Sequence, residues 1–521
     1  MRKISGTALA ACALLAVVQT GTRVQGELVQ LVTLTRHGSR APNTVIRELC
    51  PANEDNLAAY NVPPGQLTEV GMKQALKLGE FLRETYVETL GFLPPSLGGG
   101  GEGFSSRFMS DPAERCLQTA QAMTQGLFPN GTGPPGFPNQ PVAVQTEQKA
   151  YANLLAAAHG ACLPRQLADN KVYDESRGKE LIAAANSTTE VVAKACGTPL
   201  EDYATAHGGR EGLVLGIKDV GDMLDFDHQQ GLPRLASVSE EVHKKMTALA
   251  FTLLQERYYS SPQQVAYWAG ALPSQLLDDF QAASDQHGIG KKPNRLYVGY
   301  HGHRELLYGL AHLLGWSFDV PGAPTALGTS SIPPGTTMFF ELHYRDPQAD
   351  EASQEADHKK DSASLTSDGL GDAGNGDVGD EEGGYYYVRT FTWTPQFGQQ
   401  ETVLDVCSNN KAGEGCRLST LWNAVLDSTI DTGSWEKICH HVPFTQAEEI
   451  AKKAVYNTGN VVGTDDDGPG SVDQPSSSRT IRMGAVVATV AAVLLAWLGA
   501  VVVKTKWLSS DRRSEIYEPV R

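Results

Sequence analysis

A histidine set between two arginines, Arg36-His37-Gly38-Ser39-Arg40-Ala41-Pro42, is the densest concentration of reactive chemistry in the chain. A phosphoryl group in transfer spreads its charge over three equatorial oxygens, and guanidinium forks match those oxygens well. An imidazole can attack phosphorus in line through one ring nitrogen if the other is held by a hydrogen bond, for which a backbone carbonyl is the expected partner. Gly38 removes a side chain where backbone must turn sharply or approach a ligand. Alone, an Arg-His-Gly triplet reads equally as a solvated basic loop. Arg40 and Pro42, directly after a strand-like run, favour a site. A second cluster is His301-Gly302-His303-Arg304-Glu305. Glu305 is positioned to protonate a departing alkoxide, with an acidic medium keeping it protonated. Its blander reading is a helix-start glutamate facing the N-terminal dipole. Arg304 stays charged and cannot serve as an acid.

These residues need elements that bring them together. Glu27–Thr35 is a β-rich apolar run that feeds the Arg36-His37 loop, and Arg295–Tyr300 is a second such run that feeds His301–His303. Val70, Leu76, Leu78, Phe81 and Leu82 recur at helical spacing across Leu67–Tyr86, with Thr68 able to cap the start. Phe104–Ser110 reads as a strand, Ala113–Gln125 as a helix, Arg304–Leu314 as a helix, and Thr337–Tyr344 and Tyr385–Trp393 as paired strands. From 128 to 292 the pattern is helical, with Lys179–Ala195, Leu213–Leu224 and Val238–Tyr258 as examples, and shows no strand-like alternation of weight. Strand–helix alternation on both sides of a helical middle predicts an α/β sheet with a cap. Ligands in such sheets lie at the carboxyl ends of strands, where both histidine clusters fall. The predicted division is 27–127 with 293–445 for the α/β domain and 128–292 for the helical cap insert. The stretch 346–384 is rich in Asp, Glu, Ser and Gly and reads as a disordered acidic surface loop.

Arg36–Pro42 resembles the signature of the histidine acid phosphatases, the acid branch of the histidine phosphatase superfamily. Gly65-Gln66-Leu67-Thr68-Glu69-Val70-Gly71-Met72-Lys73-Gln74 is similar to a second stretch of that family, and Tyr86 falls where the family often has tyrosine. The resemblance implies a mostly parallel sheet flanked by helices, like that of phosphoglycerate mutase. It also implies metal-independent, cofactor-free hydrolysis of small phosphomonoesters. Ser110-Asp111-Pro112-Ala113-Glu114-Arg115 fits the family's third arginine, making Arg115 a phosphate ligand ahead of its neighbour Arg107. Gly309, Leu314 and Gly315 stand in the family's phase when counted from His303, not from His301. The resemblance therefore assigns phosphate binding to Arg36, Arg40, Arg115 and His303, and attack to His37. The family's aspartate after the second histidine is replaced by Arg304, so the acid role passes to Glu305, as in the His-x-Glu arrangement of the inositol-polyphosphate branch. The likeness spans about residues 27–441, weakest across the cap. Membrane-bound lysosomal and protozoan acid phosphatases share the arrangement of the chain ends described next.

The 521-residue chain carries a net charge of −17 and a pI near 5.2. That charge excludes a nucleic-acid partner, which needs a positive footprint. Arg2 and Lys3 precede an apolar run, Ala8–Val18, and Val24-Gln25-Gly26 suits cleavage, so 1–26 reads as a signal peptide. Met483–Val503 is long and apolar enough to span a bilayer, with 446–482 as the stalk before it. Lys504, Lys506, Arg512 and Arg513 place the tail 504–521 in the cytosol, giving a type I single-pass topology at the endosome, lysosome or cell surface. Tyr517–Val520 resembles a sorting signal for an adaptor. Removing Cys12 with the leader leaves seven of the eight cysteines, so in an oxidising lumen at least one stays unpaired or pairs between chains. Asn130 and Asn186 head glycosylation sequons. Neither CxxC spacing nor a histidine cluster points to a metal, and a homodimer is left open.

Two other functions compete. His303-x-Glu305 fits a phytate-type inositol-phosphate phosphatase, for which the cap offers Lys179, Lys194, Arg210, Lys244 and Lys245. Loss of the aspartate after His303 fits a pseudo-phosphatase serving as a trafficking or ligand-binding protein, although intact Arg36–Pro42 and Arg115 count against it.

Overall fold

The computed structural model describes residues 26–97, 105–149, 152–206, 212–318, 332–346, 384–408, 410 and 413–439. All belong to the first of two units, Met1–His441. Among these residues no helix is long and apolar enough to cross a membrane. The leader through residue 25, the interior of the acidic segment, the stalk, the span at 483–503 and the tail with Tyr517–Val520 lie outside the described residues.

The strands are β1 (Glu27–Arg36), β2 (Ser106–Ser110), β3 (Val144–Thr146), β4 (Tyr297–Gly302), β5 (Thr337–Arg345), β6 (Tyr385–Thr394), β7 (Gly398–Glu401) and β8 (Cys416–Arg417). They form one sheet in the order β3-β2-β4-β1-β5-β6-β7, with β8 on β6. β3, β2, β4 and β1 run parallel to one another. β5 through β8 pair antiparallel. The sheet is thus mixed rather than mostly parallel, because its late strands return through direct antiparallel pairing instead of helical crossovers. The parallel half still aligns the carboxyl ends of β1, β2 and β4 along one edge.

Period-two alternation divides the strand residues between two covered faces. Val32, Leu34, Val298, Tyr300, Met338 and Phe340 enter one core. Leu31, Phe108, Tyr297 and Phe339 enter another, beneath helices Glu69–Leu82 and Glu114–Leu127. Thr68 caps the first of these helices by accepting from the Gly71 N–H. The cap has a third core around Val192, Cys196, Ile217 and Met246.

Two features of the 128–292 stretch differ from the helical cap expected there. Val144–Thr146 extends the sheet beside β2; three residues are too few to display a period. Helix Leu272–Gly288 supports the sheet, its Asp279 accepting from Tyr300 of β4 at 2.5 Å. The helix expected over 179–195 is two, Arg177–Ala184 and Asn186–Cys196, divided just before a run of Asn, Ser and Thr, which favour helix starts over interiors. Disulfides join Cys50 to Cys196, Cys162 to Cys439 and Cys407 to Cys416. Among the described residues Cys116 is the free cysteine, and it is buried.

Candidate active site

Backbone bonds fasten the strand ends into one frame. The His37 N–H donates to the Gly302 carbonyl, the Asp111 N–H to the His301 carbonyl, and the Gly335 N–H to the His37 carbonyl. The Gly38 N–H donates to Thr119 Oγ1 at 3.1 Å, and the Ser39 N–H to Gln74 Oε1 at 2.8 Å. Gly38 and Gly71 lie so close that a methyl group on either would strike backbone of the opposite segment. The capped helix thus packs beneath the histidine loop.

Within this frame His37 Nδ1 donates to the Gly38 carbonyl at 2.8 Å. That fixes the tautomer and leaves the Nε2 lone pair free. Burial, then the charges of Arg115, His303, Arg36 and Arg40, hold the imidazole well below the ordinary histidine range. The ring is neutral, and all four expected partners act on it. Its centroid lies 5.3 Å from that of His303. Arg115 Nη2 lies 3.4 Å from His303 Nδ1. His303 Nε2 lies 3.2 Å from Asp111 Oδ1. The Asp111 carboxyl, pushed up by burial, is drawn down to about 2 by His303, by the Ala113 N–H and by Arg115.

Arg36 is 1% exposed and donates to the Ile332 carbonyl. Arg40 donates to Ala41 O and Asn43 Oδ1, both at 2.9 Å, and its guanidinium lies over the Phe226 ring. Buried Arg36 Nε and Arg115 Nε have no acceptor among the described residues. Charged donors left without acceptors mark a place where an anion would be held. His301 lies outside this ring. It is fully buried in β4, where burial pushes it down to about 3. Arg107 is also apart from the site, donating to Gln145 on β3.

Glu305 is the second residue of helix Arg304–Leu314, whose N-cap is His303. Burial favours its neutral form, but Arg304, His303 and Lys218 outweigh burial and hold the carboxyl down at about 2. An acidic medium near pH 5 therefore does not keep it protonated in the free site, contrary to the expectation from sequence, because Arg304 Nε donates to Glu305 Oε1 at 3.2 Å. Arg304 also forks onto Asp222 at 2.9 and 2.8 Å. Asp222 belongs to cap helix Gly212–Gln229, along with Lys218, which reaches Asp219 at 3.1 Å and Asp222 at 3.0 Å. Asp219 also accepts from Asn43 at 3.2 Å, so the acidic face of this helix closes over the arginines. Its Asp-x-x-Asp spacing was the available signal, although nothing local pointed to its partners. Asn130 and Asn186 are exposed. Of the cap cations, Lys244 and Lys245 pair with Glu240 and Glu241 on their own helix, Lys179 and Lys194 are exposed, and Arg210 lies outside the described residues.

Residues 27–358 match the family model of the histidine phosphatase superfamily (branch 2), and the chain belongs to that family. It is 32% identical over 160 residues to testicular acid phosphatase of Homo sapiens, 29% of this chain and 35% of that protein. The mouse protein of the same name is 33% identical over 144 residues, 26% of this chain and 31% of that protein. The chain thus spans about a quarter to a third of the length of the first curated relatives it matches. The phytase structure from Citrobacter braakii superposes with a TM-score of 0.54 at 15% identity, covering 78% of this chain and 99% of that one. The phytase structure from Klebsiella sp. gives 0.50 at 19%, covering 78% and 97%. At these identities the likeness concerns the fold alone.

Proposed function

We propose that the protein is a phosphomonoesterase working through a phosphohistidine on His37. One observation carries the reading: a neutral imidazole, its Nδ1 fixed by a carbonyl and its Nε2 free, amid arginines with unmatched donors. Arg36, Arg40, Arg115 and His303 hold the phosphate oxygens and stabilise charge in the transition state. His37 Nε2 forms the N–P bond as the P–O bond to the leaving alcohol breaks. Because Glu305 is ionised in the free site, the proton for that alcohol arrives on the substrate. A phosphomonoester binds as the monoanion common below about pH 6, passes its proton to Glu305, and Glu305 gives it to the departing oxygen. Water then attacks phosphorus and breaks the N–P bond, its proton passing through Glu305 to the departing phosphate, so that His37 is restored and Glu305 is again ionised.

Small substrates are favoured over inositol polyphosphates, because Asp222 neutralises Arg304 and the cap helix places Asp219 beside Arg40's partner Asn43. Three disulfides suit a lumenal or extracellular catalytic unit, which we place on a type I single-pass chain anchored by Met483–Val503. The test is rapid quench with labelled substrate under alkaline denaturing conditions, where phosphohistidine survives. The wild type should trap label and His37→Ala should lose both label and turnover. Retention of phosphate release by that variant refutes the mechanism, and absence of label in an active wild type does so too.

A further inference from the structure

Cys116 has no part in the phosphatase chemistry, yet it sits against it. Its Sγ lies 3.7 Å from His303 Nε2, and that same nitrogen is 3.2 Å from Asp111 Oδ1. The three ligand atoms all fall within 4.8 Å of one another. Cys116 and Asp111 are buried, at 0% and 4% exposure, and His303 keeps an exposed edge. Thiolate, imidazole and carboxylate are the three donor types that bind zinc. Tetrahedral zinc, with bonds of about 2.0–2.1 Å to nitrogen or oxygen and about 2.3 Å to sulfur, separates an N and an O ligand by about 3.3 Å and an N and an S ligand by about 3.6 Å. The observed N–O and N–S separations of 3.2 and 3.7 Å match these values, and sulfur and oxygen lie within 4.8 Å of each other. A closed structural zinc site would supply a fourth protein ligand. None joins these three among the described residues, so a bound ion would keep one open position.

We propose that Asp111, Cys116 and His303 form an inhibitory site for a thiophilic divalent cation, zinc above all, inside the phosphate pocket. On binding, the Cys116 thiol proton and any proton on the ligating His303 nitrogen leave to solvent. The inhibition follows from the place of the ion: it takes up His303, which the proposed reaction needs for phosphate, beside Arg115, whose Nη2 lies 3.4 Å from His303 Nδ1. Two anionic ligands offset the positive surroundings that otherwise repel a cation.

The inhibition readout rests on the proposed phosphatase reading, whereas the metal readout does not. The purified full chain is stripped with a chelator and titrated with cobalt(II), a spectroscopic stand-in for zinc. The other cysteines of the described residues are all in disulfides, so a thiolate-to-cobalt charge-transfer band reports Cys116 specifically. Hydrolysis of an aryl phosphate is followed in parallel against zinc. The band should appear in wild type and vanish in Cys116→Ser and Cys116→Ala. Both variants should keep basal turnover and need at least tenfold more zinc for half-inhibition. A missing band in wild type, or equal zinc sensitivity in the variants, overturns the site. A band in a wild type without turnover upholds the metal site and defeats the phosphatase reading instead.

Discussion

Replacing Arg304 by methionine removes the charge that most strongly holds Glu305 ionised, and the consequence is a change in the shape of the pH profile. In the free site the Glu305 carboxyl stands at about 2 against an ordinary 4.5, although burial alone would raise it. With the substrate proton routed through an ionised Glu305, kcat/KM has two limbs. The alkaline limb follows the second ionisation of the phosphomonoester, near ~6. The acid limb follows protonation of free Glu305, so wild-type activity should hold to well below pH 4. Returning Glu305 merely to its ordinary value leaves about 3% of the enzyme ionised near pH 3, against about nine-tenths in wild type. The variant should therefore lose about 30-fold in kcat/KM near pH 3 and less than about twofold near pH 5 from this cause. Asp222 is not stranded, since Lys218 remains 3.0 Å away, and Arg304→Lys should return most of the acid-side activity. The assay is initial-rate hydrolysis of an aryl phosphate from pH 2.5 to 7, within the range where circular dichroism shows each protein folded. A wild-type acid limb near 4.5, or a uniform loss in the methionine variant at every pH, refutes the proton route.

Three further outcomes follow. Since the Glu305 carboxyl is depressed on folding, its contribution to stability is full above about 4.5 and is lost as pH falls through about 2. Acid unfolding of Arg304→Met should accordingly begin at higher pH than that of wild type. Gly38→Ala drives a methyl into the Gly71 backbone and should cost about 1–3 kcal/mol of stability, with a disproportionate fall in kcat because the shifted residue adjoins His37; thermal unfolding and kinetics check this together. Paired Cys50→Ala and Cys196→Ala substitutions open a closure of 146 residues and should lower stability by about 2–5 kcal/mol. The loss should appear in thermal melts as early unfolding of the cap.

The sequence by itself was enough for most of what is governed by near neighbours along the chain. The arginine-flanked histidine, the Thr68 cap, the helix starting at Arg304 and the paired strands at Thr337 and Tyr385 all rest on contacts within a few residues or on a repeating period. The phase that singled out His303 over His301 is equally local; His301 lies buried in β4, and His303 lies 3.4 Å from Arg115. Tertiary structure alone decided the rest. The Arg304–Asp222 fork joins residues 82 positions apart, and Arg115 meets His303 across 188. No spacing rule connects such residues, because the packing of the cap on the sheet brings them together. The ionised state of Glu305, the pairing of the cysteines, and the meeting of Asp111, Cys116 and His303 each depend on that packing. Charge and donor atoms are properties of residue types, but their protonation and partners are set by distances of a few ångströms, which exist only once the chain has closed on itself.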